Sequence, residues 1–167
     1  FIGYQVTANS AAATGNNNVG VGDFTFFNLT SGSNNTALGY QAGYSNTTGS
    51  NNTAVGYQAA YASSTGTVIT AVGTSAALRA TTGYVTAVGY QAAFYTSTGG
   101  GIVAIGNSAL QANTTGSSNV AVGGTYNTAA ALQSNTTGNY NTAVGEGSLA
   151  SNTTASNNTA VGYQAGY

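Results

Sequence analysis

The chain has 167 residues and only three charged side chains, Asp23, Arg79 and Glu146, and it contains no His, Cys, Met, Trp or Pro. Without an imidazole, a thiolate or a pair of neighbouring carboxylates, it lacks the usual means of acid–base, nucleophilic and metal chemistry, so no cofactor, no metal and no enzymatic activity are expected. One arginine cannot neutralise a phosphate backbone and no apolar run approaches the ~20 residues of a membrane span, which argues against nucleic acid and membrane insertion as partners.

Disordered chains usually combine charge with few aromatics, whereas this one has 12 tyrosines, 5 phenylalanines and a regular apolar beat. The tag Ala-(Val/Leu/Ile)-Gly ends at Gly39, Gly56, Gly73, Gly106, Gly123, Gly145 and Gly162, with looser copies ending at Gly3, Gly22 and Gly89. Most intervals are 17 residues, and a second marker, usually Thr-Gly, follows ten residues later at Gly32, Gly49, Gly66, Gly83, Gly99 and Gly116. Such a period marks a stack of small units, each buried only by its neighbours. The near-absence of charge fits in-register stacking. Equivalent side chains then lie ~4.8 Å apart, where like charges repel and neutral Asn, Thr, Ser and Gln form ladders.

In chain order, Phe1–Gln5 enters mid-repeat, and Ala8–Ala13 adds two residues to the first coil. Each unit then opens with a short alternating strand. Residues 46–62 serve as the example: Thr53 and Val55 are placed inward and Ala54 outward. The equivalent position before each tag glycine gives the expected core, Val55, Val72, Val88, Ile105, Val122, Val144 and Val161. The tag glycine follows where a bend or the next coil excludes a side chain. A second extended stretch is expected at Tyr57–Tyr61, with small residues at Ala42, Ala59, Ala76, Ala92 and Ala109. Bulky residues recur near its end at Phe27, Tyr44, Tyr61, Leu78 and Phe94, or one place earlier at Leu110 and Leu149. Asn46–Gly49 then supplies a turn, with the glycine available for positive φ. Five extra residues inside about 124–134 should loop out, and the chain leaves mid-repeat at Tyr167. The fold expected is all-β, a parallel β-solenoid or β-roll of about ten 17-residue coils with two short strands per coil. Residues 1–167 form one array, a piece of a longer one or a subunit of a filament.

At Val103-Ala104-Ile105-Gly106-Asn107-Ser108-Ala109 and Asn119-Val120-Ala121-Val122-Gly123, the repeat resembles the head repeats of trimeric autotransporter adhesins. The longer form at 157–167, Asn-Asn-Thr-Ala-Val-Gly-Tyr-Gln-Ala-Gly-Tyr, is similar to repeat arrays of phage tail fibres and related surface proteins. The resemblance covers nearly the whole chain and implies a parallel β-roll, a homotrimer around an axis and an extracellular, cell-surface or virion location. The period is longer than that of typical adhesin heads, and the tyrosine content is unusual.

Several ladders are candidates for surface function. Tyr40, Tyr57, Tyr90 and Tyr163 follow the tag glycines, each with a glutamine beside it at Gln41, Gln58, Gln91 and Gln164. Ring faces and amides of this kind can hold a cell-surface glycan or receptor, although aromatic stripes more often pack against protein. An asparagine ladder (Asn18, Asn35, Asn52, Asn119, Asn141, Asn158) is interrupted by Ile69, Val85 and Ile102, which form either a lateral contact or a local widening of the core. A threonine column before the turn glycine raises ice binding as a minor reading. Against it, the turns are too rich in Gly and Asn for a flat Thr-x-Thr face. Sequons at Asn46, Asn113, Asn135 and Asn152 fall in turns and are the candidate glycosylation sites. The function expected is a non-enzymatic structural or adhesive segment of a fibre, a homotrimer or a filament growing end to end, with a glycan- or ice-binding module as the alternative.

Overall fold

The computed structural model describes residues 2–5, 13–125 and 128–166. Phe1, most of the Ala8–Ala13 stretch, the insertion's Tyr126 and Asn127, and Tyr167 lie outside the described residues. Nine short strands follow one another: β1 (Val19–Val21), β2 (Thr36–Leu38), β3 (Thr53–Val55), β4 (Ile69–Val72), β5 (Val85–Val88), β6 (Ile102–Ile105), β7 (Val120–Val122), β8 (Thr142–Val144) and β9 (Thr159–Val161). They form one parallel sheet in sequence order. The chain is therefore an all-β solenoid of about eight turns at ~17-residue spacing, fewer than the ten coils anticipated. Register is set by the tag: Ala37 pairs with Ala54, Ala54 with Ala71, and so on to Ala143 with Ala160. It survives both irregular spacings. The short coil still pairs Ala71 with Ala87, and the coil holding the insertion pairs Ala121 with Ala143.

The sheet faces the opposite way from the sequence pattern. Ala37, Ala54, Ala71, Ala87, Ala104, Ala121 and Ala143 point inward and are almost fully buried. The residues expected in the core lie on the outer face. Val55, Val72, Val88 and Val122 are half-buried, while Ile105, Val144 and Val161 are 39%, 36% and 70% exposed. The physical reason is width. Across the coil from the first six strand alanines sits another alanine, at Ala42, Ala59, Ala76, Ala92, Ala109 and Ala131, and across from Ala143 sits Ser148, all fully buried. Two layers this close leave room for a methyl group on each side and no more. The other inward position on each strand side is the asparagine ladder, so Ile69, Val85 and Ile102 widen the core and form no surface patch.

There is also one strand per coil instead of two. The expected second strand at Tyr57–Tyr61 is a run of tight turns in which alternate residues are left-handed, with φ of 55° at Gln58 and 50° at Ala60. Its backbone still bonds to neighbouring coils, Gln58 N–H to Tyr40 O at 3.0 Å and Ala60 N–H to Ala76 O at 3.0 Å. Local bonds such as Ser63 N–H to Ala60 O at 3.2 Å close the turns. Runs of this kind fold back more sharply than a strand and bring the two alanine layers together.

Two glycine columns set the approach of successive coils. A Cβ on Gly56 would lie 2.6 Å from the carbonyl oxygen of Gly73, and φ there is +128°. The same clash recurs at each tag glycine from Gly3 to Gly145. The turn glycines differ from expectation. Gly32, Gly49, Gly99 and Gly116 are outside the left-handed region, yet a Cβ on any of them would run into the carbonyl oxygen of the next turn glycine. They are glycine for closeness and not for φ.

Volumes compensate from coil to coil. Leu132 and Leu149 are buried in the coils whose ladder residue is Asn119 and Asn141, whereas the coil of Ile102 buries Leu110 as well. Ile69 and Val85 sit in coils that have Ala77 and Ala93 at the leucine position. The third coil has the small partner on both sides: Asn52, Ala60 and Ser63, beneath Gly43. A small cavity lies here, lined by Phe26, Gly43, Asn46, Asn52, Ala54, Ala60 and Ser63. Among the described residues, Ser63 Oγ is the one buried side-chain polar atom without a hydrogen-bond partner.

Two outcomes follow. Gly56→Ala should cost at least ~3 kcal/mol, since both φ and the carbonyl of Gly73 oppose a methyl group; thermal unfolding followed by circular dichroism measures this, and a near-neutral result contradicts the column. Val68 is a β-branched residue at φ +58°, where other coils have Asn17, Asn34, Asn51 and Asn157. Val68→Asn is expected to stabilise by about 1 kcal/mol, which raises Tm by roughly 2–4 °C for a chain of this size; a lower Tm contradicts the left-handed assignment.

Candidate functional site

Three features built by this fold bear on function: the outer sheet face, the row of aromatic residues around the corner from it, and the turns with their sequons. The outer face alternates in the strand direction between a threonine or valine and an aliphatic residue, as in Thr36/Leu38, Thr53/Val55, Thr70/Val72 and Thr86/Val88. In-register pairing repeats this pair on each strand, so one column is Val21, Leu38, Val55, Val72, Val88, Ile105, Val122, Val144 and Val161. No charge interrupts either column.

The tyrosines after the tag glycines are exposed, with Tyr57 at 49% and Tyr90 at 48%. They form two kinds of contact. Tyr40 and Tyr57 stack nearly parallel, centroids 5.6 Å apart, and Phe24 meets Tyr40 edge-on at 5.8 Å. A second column, Phe27, Tyr44 and Tyr61, stacks at 5.0 Å per step. Stacking covers the facing sides of Tyr40 and Tyr57 only. The glutamines run alongside. Gln58 Nε2 donates to Gln41 Oε1 at 2.8 Å, and Gln111 Nε2 donates to Gln91 Oε1 at 2.6 Å. Tyr163 and Gln164 are exposed in the last described coil. The row is broken at Thr74 and Ser75, again at Asn107 and Ser108, and on through the insertion, where Thr125 Oγ1 donates to Glu146 Oε1 at 2.6 Å.

The sequons are a clear correction. Asn46, Asn113 and Asn135 are 2%, 0% and 0% exposed, so their amides are closed to a glycosylating enzyme in the folded chain. Each points into its own turn. Asn46 Oδ1 accepts from Gly49 N–H at 2.9 Å while its Nδ2 donates to Gly49 O at 3.1 Å. Asn113 and Asn135 donate to Gly116 and Gly138 in the same way. Asn152 is half-buried and makes the equivalent bond to Ala155 O at 3.1 Å. The other asparagine ladder is buried at Asn35, Asn52, Asn119 and Asn141 and half-buried at its ends, Asn18 and Asn158. Asn35 Nδ2 reaches Gly49 O at 2.9 Å, and Asn52 N–H bonds back to Asn35 Oδ1 at 2.9 Å. Both ladders satisfy backbone groups that stacking leaves open.

The few charges are also spent locally. The Asp23 carboxylate accepts from Tyr4 N–H at 2.8 Å, and the Arg79 guanidinium lies 5.4 Å from the centre of the Tyr95 ring. Among the described residues there is no group of three or more His, Cys, Asp or Glu side chains able to hold a metal ion, and no helix long and apolar enough to cross a membrane. Comparison with protein families, curated proteins and solved structures finds no significant match to this chain.

Proposed function

We propose that the chain is a non-enzymatic structural segment of an extracellular or virion fibre in which copies lie side by side along their sheet faces. The observation that carries this reading is the unbroken, charge-free column of aliphatic side chains on the outer face of β1–β9. Nine strands make a stripe roughly 40 Å long, of the size at which exposed apolar patches mark contact surfaces. Its contact area grows with the number of coils. A long array therefore reaches the ~800 Å² per partner typical of stable interfaces, where two or three coils would not. Three copies around an axis, the arrangement implied by the likeness to adhesin heads, would bring three such columns together. Adhesion and reach then follow from a stiff rod whose coils are tied by backbone bonds and uncharged ladders.

A second reading uses the same face. A flat, regular array of threonine and aliphatic side chains is also a surface that orders water, and the Thr-x-Val pattern occurs in this sheet and not in the turns. Ice is the ligand that such an array would favour if the face stays open.

Sedimentation equilibrium of the chain, alone and as Val72→Asp with Val88→Asp, separates the two. The fibre reading expects a multiple of 16.3 kDa, three copies for the trimer, that falls to the single-chain mass in the double variant because aspartates cannot be buried at an apolar contact. A single-chain mass for the unaltered protein contradicts it, and thermal hysteresis from that single chain would favour ice.

A further inference from the structure

We propose that the break in the tyrosine row at Thr74 is a binding slot for one pyranose ring of a neutral glycan. In the coils before and after, this position holds Tyr57 and Tyr90, both about half exposed, and between them the row drops to the short, exposed Thr74. Their coils are consecutive with that of Thr74, since Ser75 N–H bonds to Tyr57 O at 2.9 Å and Gln91 N–H bonds to Thr74 O at 3.0 Å. Tyr57 is stacked on its Tyr40 side only, which leaves its other face turned toward the gap. Two coil steps separate the walls by about 9.6 Å, so a ring held midway lies ~4.8 Å from each. At that separation the axial C–H groups of a puckered ring, which stand about 1 Å off its mean plane, come close to van der Waals contact with each wall. A thick, saturated sugar ring meets both walls, whereas a thin aromatic ring lies against one.

The polar groups of the gap are matched to hydroxyls. The glutamine ladder is interrupted in the same coil, because Ser75 stands where the neighbouring coils have Gln58 and Gln91. Gln58 uses its Nε2 on Gln41 in the preceding coil, which leaves its Oε1 as an acceptor. Gln91 uses its Oε1 on Gln111 in the following coil, which leaves its Nε2 as a donor. The slot thus offers a free acceptor and a free donor from opposite sides, plus the Thr74 hydroxyl at its floor. Asp23 and Glu146 lie in other coils, and Arg79, in the coil of Thr74, is directed to the Tyr95 ring 5.4 Å away, so the slot's own groups suit a neutral sugar. The slot lies on the residues that follow the tag glycines, around the corner from the sheet face.

Saturation-transfer difference NMR on the full chain with methyl β-D-glucopyranoside and methyl β-D-galactopyranoside tests this. Millimolar binding is expected, with the strongest transfer to the ring C–H protons that face the tyrosines. Thr74→Tyr restores the residue of the neighbouring coils and closes the slot, and it should weaken binding at least about tenfold. Tyr57→Ala and Tyr90→Ala should each do the same by removing one wall, while Tyr163→Ala leaves binding unchanged. No transfer from either sugar overturns the proposal, as does equal transfer in the Thr74→Tyr chain when circular dichroism shows it folded. Should that variant fail to fold, undiminished transfer in folded Tyr57→Ala or Tyr90→Ala chains overturns it equally.

Discussion

The distance between successive coils governs this molecule. At the tag glycines, backbone lies directly against backbone, and a single added carbon would meet the carbonyl of the next coil. A second column of glycines does the same at the turns. These two lines of contact hold the coils at the parallel strand spacing and keep them in register. Everything else follows from that closeness. Like side chains must stack, so charge is avoided; the interior must be thin, so alanine fills it; and backbone groups left open at the turns must be met by asparagine side chains pointing inward.

A thin interior has consequences for stability and for surface. Alanine against alanine buries little apolar area per coil, and the solenoid compensates with hydrogen bonds that run from coil to coil along most of its circumference. Buried Asn35, Asn119 and Asn141 belong to this network, each satisfying a neighbouring backbone group without leaving a partnerless amide. Ile69 and Val85 replace asparagine where the facing positions are Ala77 and Ala93, while Ile102 shares its coil with Leu110. The third coil lacks that compensation and holds the cavity beside Ser63. The aliphatic residues that a thicker core would have taken are displaced to the outside, where they become the most distinctive surface of the protein.

The period, the first strand of each coil and the register could be read from the sequence, because the tag repeats and the ladder pairs like with like. The facing of the strands could not be read by size alone. Thr53-Ala54-Val55 offers a plausible inward residue on either parity, and a rule that buries the larger residue chooses wrongly when the interior admits only a methyl group. The clue lay in composition: the strand centre is alanine in β2 to β9, while the neighbouring position varies among valine, leucine and isoleucine. The second strand was misjudged because its alternation of large and small residues is the same in a strand and in a run of alternating left-handed turns. The sequons misled for a local reason. An asparagine three residues before a turn glycine closes on that glycine's backbone, as Asn46, Asn113 and Asn135 do, and the spacing that creates the motif also buries it.

Mass per unit length of the native assembly, measured by scanning transmission electron microscopy, tests most directly whether copies cover the outer sheet face. One coil of 17 residues per ~4.8 Å corresponds to about 0.35 kDa per Å for a single chain. Side-by-side packing predicts an integral multiple of that value, threefold for a trimer. A rod with the single-chain value would leave the aliphatic columns open to solvent along its whole length and contradict the account.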